Sequence, residues 1–213
     1  MTSIVILDYG AGNIGSVRRA LARVGADVDV SADMDAVLNA DGVVVPGVGA
    51  YASCMAGLER VYGPRLIERR LAGARPVLGI CVGLQVMFEA GTEHGVRTEG
   101  LAQWPGAVSE LCAPVLPHMG WTAVRAHPES RLLAGMDGER FYFVHSYAAH
   151  TDPATLLGGT RTRKPVTSFA YHGEDFVAAV ENGPLSAVQF HPEKSADAGL
   201  ELLSRWVQDV ANA

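Results

Sequence analysis

Over the first 90 residues, short apolar runs alternate with longer amphipathic stretches. This is the pattern that a parallel sheet flanked by helices imposes on a chain, and it narrows the possible folds more than any other feature. Ile4 to Leu7 reads as a strand. Ile14, Val17, Leu21 and Val24 then recur at helical spacing behind a candidate cap at Asn13, and the stretch ends at Gly25. Ala26 to Val30 returns as a second strand. Val43-Val44-Val45 is a buried third strand that ends in Pro46-Gly47-Val48-Gly49-Ala50, and a helical stretch from Leu66 to Leu71 leads through Gly73 into Val77-Leu78-Gly79-Ile80. From about residue 105 the texture changes to short β-branched and aromatic runs punctuated by Gly and Pro, so that half reads mostly as strand. Phe176 to Val180 and Leu185 to Phe190 form an expected hairpin across Asn182-Gly183. Leu200, Leu203, Val207 and Val210 mark a closing helix.

No repeat, linker or low-complexity segment divides the chain. The expectation is an α/β fold: a single three-layer domain over residues 1–213 around a central mixed, largely parallel sheet. With 48% hydrophobic and 19% charged residues, 213 residues suffice for one well-filled core. Set against 23 acidic side chains, 17 basic ones leave a net charge of −6, and basic residues cluster only at Arg161, Arg163 and Lys164, which argues against nucleic acid as a partner. No apolar run reaches the roughly 18 residues of a membrane span, and Asp8 interrupts the N-terminal strand, so neither anchor nor signal peptide is expected. Cys54, Cys81 and Cys112 are odd in number and widely spaced, which suits a reducing compartment and gives a cytoplasmic expectation. The seven histidines show no H-x-x-x-H spacing and the cysteines no C-x-x-C, so no metal site is expected.

Gly79-Ile80-Cys81-Val82-Gly83 stands where a buried strand meets a helical run through Val82, Leu84, Val86, Met87 and Phe88. This is the G-x-C-x-G pattern of a nucleophile elbow, whose tight turn demands small flanking residues and presents the central side chain above the sheet. A helix start beneath the sulfur favours the thiolate. The pentapeptide alone also fits a small core cysteine at a strand end. Cys54 and Cys112 lack this context and read as inert.

Near the C-terminus, Gln189-Phe190-His191-Pro192-Glu193-Lys194-Ser195 ends the last expected strand. In extended chain His191 and Glu193 face the same side, and Pro192 biases His191 toward that geometry. A carboxylate beside an imidazole fixes its tautomer and stabilises the imidazolium, so the pair supplies the second half of a Cys-His-Glu triad, with His191 expected about 3 to 4 Å from the Cys81 sulfur. Taken alone, His-x-Glu is also a common surface pair. For a tetrahedral oxyanion the elbow offers the N–H of Val82, and the loop after the third strand offers a second donor at Val48 or Gly49.

With these residues in place the chain resembles the class I glutamine amidotransferases, GICVGLQ carrying the nucleophile and HPEKS the His and Glu. Asp8-Tyr9-Gly10-Ala11-Gly12-Asn13, Pro46 to Ala50, Pro117-His118-Met119-Gly120-Trp121 and Phe143-Val144-His145-Ser146-Tyr147 narrow the resemblance to the branch that serves imidazole glycerol phosphate synthase. The resemblance implies a glutaminase that needs no cofactor. Cys81 would attack the side-chain amide of L-glutamine, His191 would shuttle the proton, Glu193 would orient His191, and the ammonia would pass to a (β/α)₈ cyclase subunit in a heterodimer of histidine biosynthesis. By motif position Gln85, Glu93, Ser146 and Tyr147 would grip the glutamine, with Glu93 on its α-ammonium, while Asn13, Trp121, Tyr142 and Lys194 would meet the cyclase. The chain departs from the family pattern at Val82, Leu84 and Thr122, where leucine, methionine and asparagine are common, and the last change puts an interface role for Thr122 in doubt.

Three other readings compete. Gly10-Ala11-Gly12-Asn13-Ile14-Gly15 matches the G-x-G-x-x-G dinucleotide fingerprint, with Asp33 as the acidic residue, although Asp8-Tyr9 separate it from the strand and an NAD oxidoreductase would leave the elbow unexplained. A different γ-glutamyl hydrolase would keep the triad and not need the Pro117 to Trp121 segment. A docking module without catalysis would not need an intact Cys81, His191 and Glu193.

Overall fold

The computed structural model describes residues 1–157 and 164–213; Arg161 and Arg163 of the basic stretch lie outside the described residues. The chain begins with β1 (Ser3–Leu7), α1 (Ile14–Arg23), β2 (Asp27–Ser31), α2 (Met34–Asn39) and β3 (Gly42–Gly47). It continues with α3 (Tyr51–Arg60), α4 (Gly63–Ala72), β4 (Val77–Cys81) and the single-turn α5 (Val82–Gln85). Then follow β5 (Phe88–Glu93), β6 (Val96–Glu99), β7 (Trp104–Glu110), β8 (His118–Ala123), β9 (Arg140–His145) and β10 (Tyr147–Ala149). The last elements are α6 (Pro153–Leu156), β11 (Val166–His172), β12 (Glu174–Asn182), β13 (Leu185–Val188), a 3₁₀ turn (Pro192–Lys194) and α7 (Ala196–Ala211).

The central sheet has seven strands in the order β11-β12-β13-β4-β3-β1-β2. β2, β1, β3, β4 and β13 run parallel, while β11 and β12 pair antiparallel. This is the expected mixed, largely parallel α/β sheet. β3 and β4 are buried along their whole length, because helices cover both faces of a parallel sheet and its central strands must therefore be apolar throughout. At the edge, β2 carries Asp27 and Asp29, charges that discourage pairing with another chain. α1 and α7 pack together, and α4 packs with both α2 and α3. Strands β5, β6, β7 and β10 build a four-stranded sheet in the order β10-β7-β5-β6, and β8-β9 form a separate ribbon, a division that strand propensity does not reveal.

Arg70, on α4, is only 1% exposed. Its guanidinium donates to the carbonyls of Val37 (2.8 Å), Ala40 (2.9 Å), Asp41 (3.0 Å) and Pro76 (3.1 Å). One side chain thus satisfies the carbonyls at the end of α2 and those of the two loops that feed β3 and β4. Burial pushes this guanidinium down to about 10.

Two local expectations give way. Asn13 occupies the cap position of α1 but makes no side-chain capping bond. The helix after the elbow stops at Gln85 and does not reach Phe88. The carbonyls of Val86, Met87 and Phe88 accept instead from the amides of Leu101, Gln103 and Ala102, so tertiary pairing converts an apolar run into the start of β5.

Candidate active site

Cys81 closes β4 at φ 57°, ψ −112°, a left-handed-side conformation that side chains rarely adopt and that a nucleophile elbow enforces. The turn is held by close backbone packing. A Cβ at Gly83 would lie 1.9 Å from the carbonyl oxygen of Val45, and one at Gly47 would lie 2.7 Å from the Gly83 nitrogen. Glycine is therefore required on both sides of the contact between the elbow and the loop after β3. Cys81 is 3% exposed, not raised clear of the surface as the elbow pattern suggested: it forms part of the wall of a cleft of about 210 Å³.

His191 and Glu193 meet, though not on one strand face. β13 ends at Val188, His191 is extended (φ −101°, ψ 95°), and Glu193 lies in the 3₁₀ turn that begins at Pro192. His191 Nδ1 lies 2.8 Å from Glu193 Oε1. Ser195 holds the turn: its hydroxyl donates to the His191 carbonyl (2.6 Å) and accepts from the Tyr142 amide (2.9 Å), and the His191 amide donates to the Tyr142 carbonyl (2.9 Å). Burial alone would push the His191 imidazole down. Hydrogen bonds to Cys81 and to Glu193, together with their charges, outweigh it and raise the imidazole to about 9. A sulfur, an imidazole disposed to carry the proton and a buried carboxylate therefore stand in sequence.

The same cleft is lined by Val82, Val48 and Gly49, by Gln85 and Glu93, by Ser146 and Tyr147, and by Lys194. Glu93 is fixed by the Tyr51 amide, which donates to its Oε2 at 2.9 Å. Gln85 Nε2 donates to the Tyr147 carbonyl at 2.8 Å and to Gln189 Oε1 at 3.1 Å, and Gln189 Nε2 stands 3.8 Å from the Cys81 sulfur. The sequence reading missed Gln189, although it lies two residues before His191, a spacing that invited inspection. The loop at Val48 is held from behind: the Cys54 thiol donates to the Val48 carbonyl at 3.4 Å, and the Tyr9 hydroxyl donates to that of Pro46. Burial raises the pKa of both Cys54 and Tyr9 and so keeps the thiol and the phenol protonated as donors.

Lys194, which lines the cleft, has its Nζ 5.8 Å from the Tyr142 ring centre, and Trp121 packs edge-on to Tyr142 with ring centroids 6.2 Å apart. Asn13 belongs to a different loop, which packs against Pro46 through Gly12. The dinucleotide reading loses its acidic residue, because the Asp33 carboxylate caps α2 by accepting from the Ala36 amide at 2.9 Å. The cleft is also smaller than the usual drug-sized pocket, which suits a compact metabolite better than a dinucleotide.

A fold and a cleft of this kind match the class that the motifs suggested. The family model described as glutamine amidotransferase class-I matches residues 5–209, and the chain belongs to that family. Imidazole glycerol phosphate synthase subunit HisH of Nocardia farcinica is 60% identical over 209 residues, covering 98% of each chain. The subunit of that name from Thermobifida fusca is 57% identical over 205 residues, covering 96% of this chain and 97% of that one. Within the family the chain stands with these HisH subunits, the glutaminases of imidazole glycerol phosphate synthase in histidine biosynthesis. Among solved structures, PurLQS from Thermotoga maritima superposes with a TM-score of 0.70 at 16% identity, covering 100% of this chain and 99% of that one. The glutaminase domain of Trypanosoma brucei CTPS, with bound acivicin, gives 0.65 at 18% identity, covering 98% and 94%. These two likenesses bear on the fold alone.

Proposed function

We propose that residues 1–213 act as one glutaminase domain whose chemistry is carried by Cys81, His191 and Glu193. The observation that carries this reading is the strained elbow cysteine sharing a cleft with His191, whose ring is backed by the buried Glu193 carboxylate. The Cys81 thiolate attacks the side-chain carbonyl carbon of L-glutamine, and the oxyanion is received by the Val82 N–H together with that of Val48 or Gly49. The His191 imidazolium passes its proton to the leaving nitrogen as the C–N bond breaks, giving ammonia and a glutamyl thioester. Neutral His191 then takes a proton from water, whose oxygen attacks the thioester. Glutamate leaves, and thiolate and imidazolium are restored.

Gln85, Glu93, Ser146 and Tyr147 are assigned to the bound glutamine, with the Glu93 carboxylate on the α-ammonium group. Trp121, Tyr142 and Lys194, with Asn13, are assigned to docking of a (β/α)₈ cyclase subunit that takes up the ammonia. Trp121, a large amphipathic side chain 43% exposed, has the character of an interface anchor. Among the described residues no helix is long and apolar enough to cross a membrane, and the cytoplasm is the compartment we assign. A glutaminase acting alone would lose its ammonia, so turnover is expected to be low in the isolated chain and to rise when the cyclase binds its own substrate.

The test is glutamate release with and without the cyclase subunit, using native protein and Cys81→Ala. Partner-dependent release that disappears in the variant supports the reading. Full activity in Cys81→Ala overturns the nucleophile assignment, and robust turnover by the isolated chain overturns the gating.

A further inference from the structure

His118, His145 and His172 lie outside the proposed triad and cluster beside the glutamine cleft, which His145 lines. The His118 ring is held between His172, 4.2 Å away at 17°, and Phe143, 5.1 Å away at 25°, which fixes its plane. His118 Nε2 is 2.7 Å from Thr122 Oγ1, His118 Nδ1 is 3.0 Å from His145 Nε2, and His145 Nδ1 is 3.0 Å from the Tyr147 carbonyl.

These contacts assign every proton. A carbonyl oxygen only accepts, so His145 carries its hydrogen on Nδ1, and in the neutral ring its Nε2 accepts. His118 must then donate from Nδ1 and accept at Nε2, and the Thr122 hydroxyl must be the donor there. Burial pushes His118 down to about 4 and His145 down to about 3, which keeps both rings neutral and able to hold one hydrogen each. The relay runs in one direction from Thr122 to the Tyr147 carbonyl, the same oxygen that accepts from Gln85.

Alternation along β8 turns Met119 and Trp121 outward, 62% and 43% exposed, while His118 and Thr122 face the other side. We propose that Thr122, His118 and His145 are positioning residues for glutamine binding, a one-directional hydrogen-bond relay that sets the Tyr147 carbonyl, and through it Gln85, from the strand that carries Trp121. Thr122, whose substitution put a contact with the cyclase in doubt, has its role on the inner face of β8. This inference rests on the assignment of Gln85 and Tyr147 to the glutamine site.

Thr122→Val keeps the side-chain shape and removes the donor, and Thr122→Ser restores it. In the complex with the cyclase subunit, Thr122→Val is expected to raise KM for glutamine about tenfold, the equivalent of one hydrogen bond, with kcat within about twofold. Thr122→Ser should return KM to within about twofold of native, and alkylation of Cys81 by iodoacetamide should proceed at the native rate in both variants. Histidine ¹⁵N NMR of the native protein should find His118 and His145 both protonated on Nδ1. An Nε2–H tautomer at either ring, an unchanged KM in Thr122→Val, or a Thr122→Ser variant no better than Thr122→Val would each overturn the relay. The tautomers are read without turnover, so a native complex that releases no glutamate would refute the glutaminase assignment and be distinguished from failure of the relay.

Discussion

His191 Nδ1 approaches Glu193 Oε1 to 2.8 Å, with both side chains almost sealed from solvent, at 3% and 1% exposed. Nδ1 is thereby committed to the carboxylate, so proton exchange with substrate falls to Nε2. With the imidazole at about 9, the protonated ring is the resting form at neutral pH. Replacing the sulfur removes its hydrogen bond to the ring and the charge that helps to hold the proton there. An NMR titration should find His191 near 9 in the native chain and at least about one unit lower in Cys81→Ala. An unchanged value would show that the sulfur does not act on the ring.

The same shift fixes the sign of a stability effect. A histidine raised from 6.5 to about 9 on folding stabilises the native state fully below 6.5 and loses that contribution as pH rises through 9. Denaturant titrations should therefore find the gap in unfolding free energy between native protein and His191→Asn narrowing over that window. A gap that widened with pH would contradict the assigned protonation.

Glu193→Gln keeps an oxygen near Nδ1 but removes the charge. Its kcat for glutamine hydrolysis should fall by about 10² to 10⁴, with the circular dichroism spectrum unchanged. A loss below about tenfold would demote the carboxylate.

Glu93→Gln retains an acceptor for the Tyr51 amide, so the fold should persist while the charge facing the cleft is lost. An α-ammonium partner predicts KM for glutamine up by about 30 to 100-fold, a cost of about 2 to 3 kcal/mol. Steady-state kinetics with KM unmoved would place the ammonium elsewhere.

Arg70→Met fills similar space but leaves the carbonyls of Val37, Leu38, Ala40, Asp41 and Pro76 without their donor. Urea unfolding should report a loss of about 3 kcal/mol. A loss under about 1 kcal/mol would mean that water or a neighbour replaces the guanidinium.

Gly83→Ala drives a Cβ to within 1.9 Å of the Val45 carbonyl oxygen, and backbone cannot yield there without moving the elbow. Thermal unfolding should drop by about 6 to 12 °C, with glutaminase activity falling beyond what the unfolded fraction explains. Native-like activity would mean that the elbow tolerates displacement.

Much of this architecture is legible because its signals are local. β1, β3, β4 and the hairpin of β12 and β13 follow from apolar runs and turn residues, and Gly79-Ile80-Cys81-Val82-Gly83 names its own turn. α3 buries Tyr51, Cys54, Met55 and Leu58 at helical spacing, so its signal too is in the sequence although it is not among the expected elements. The helix expected through Phe88 fails because amides from residues 101 to 103, distant in sequence, claim its carbonyls. Glu193 meets His191 through a 3₁₀ turn and not a shared strand face, so the pairing was foreseen and its backbone geometry was not.

The residue types at 81, 191 and 193 and the alternation that makes a largely parallel sheet are properties of the sequence itself, because strand periodicity, glycine spacing and side-chain chemistry act between near neighbours. Only the folded chain decides that Arg70 closes the carbonyls around α2 and Pro76, that Ser195 holds the histidine turn, and that Thr122 reaches the cleft through His118 and His145. Each of these depends on the direction of single hydrogen bonds between segments far apart in the chain, and no local pattern encodes a direction.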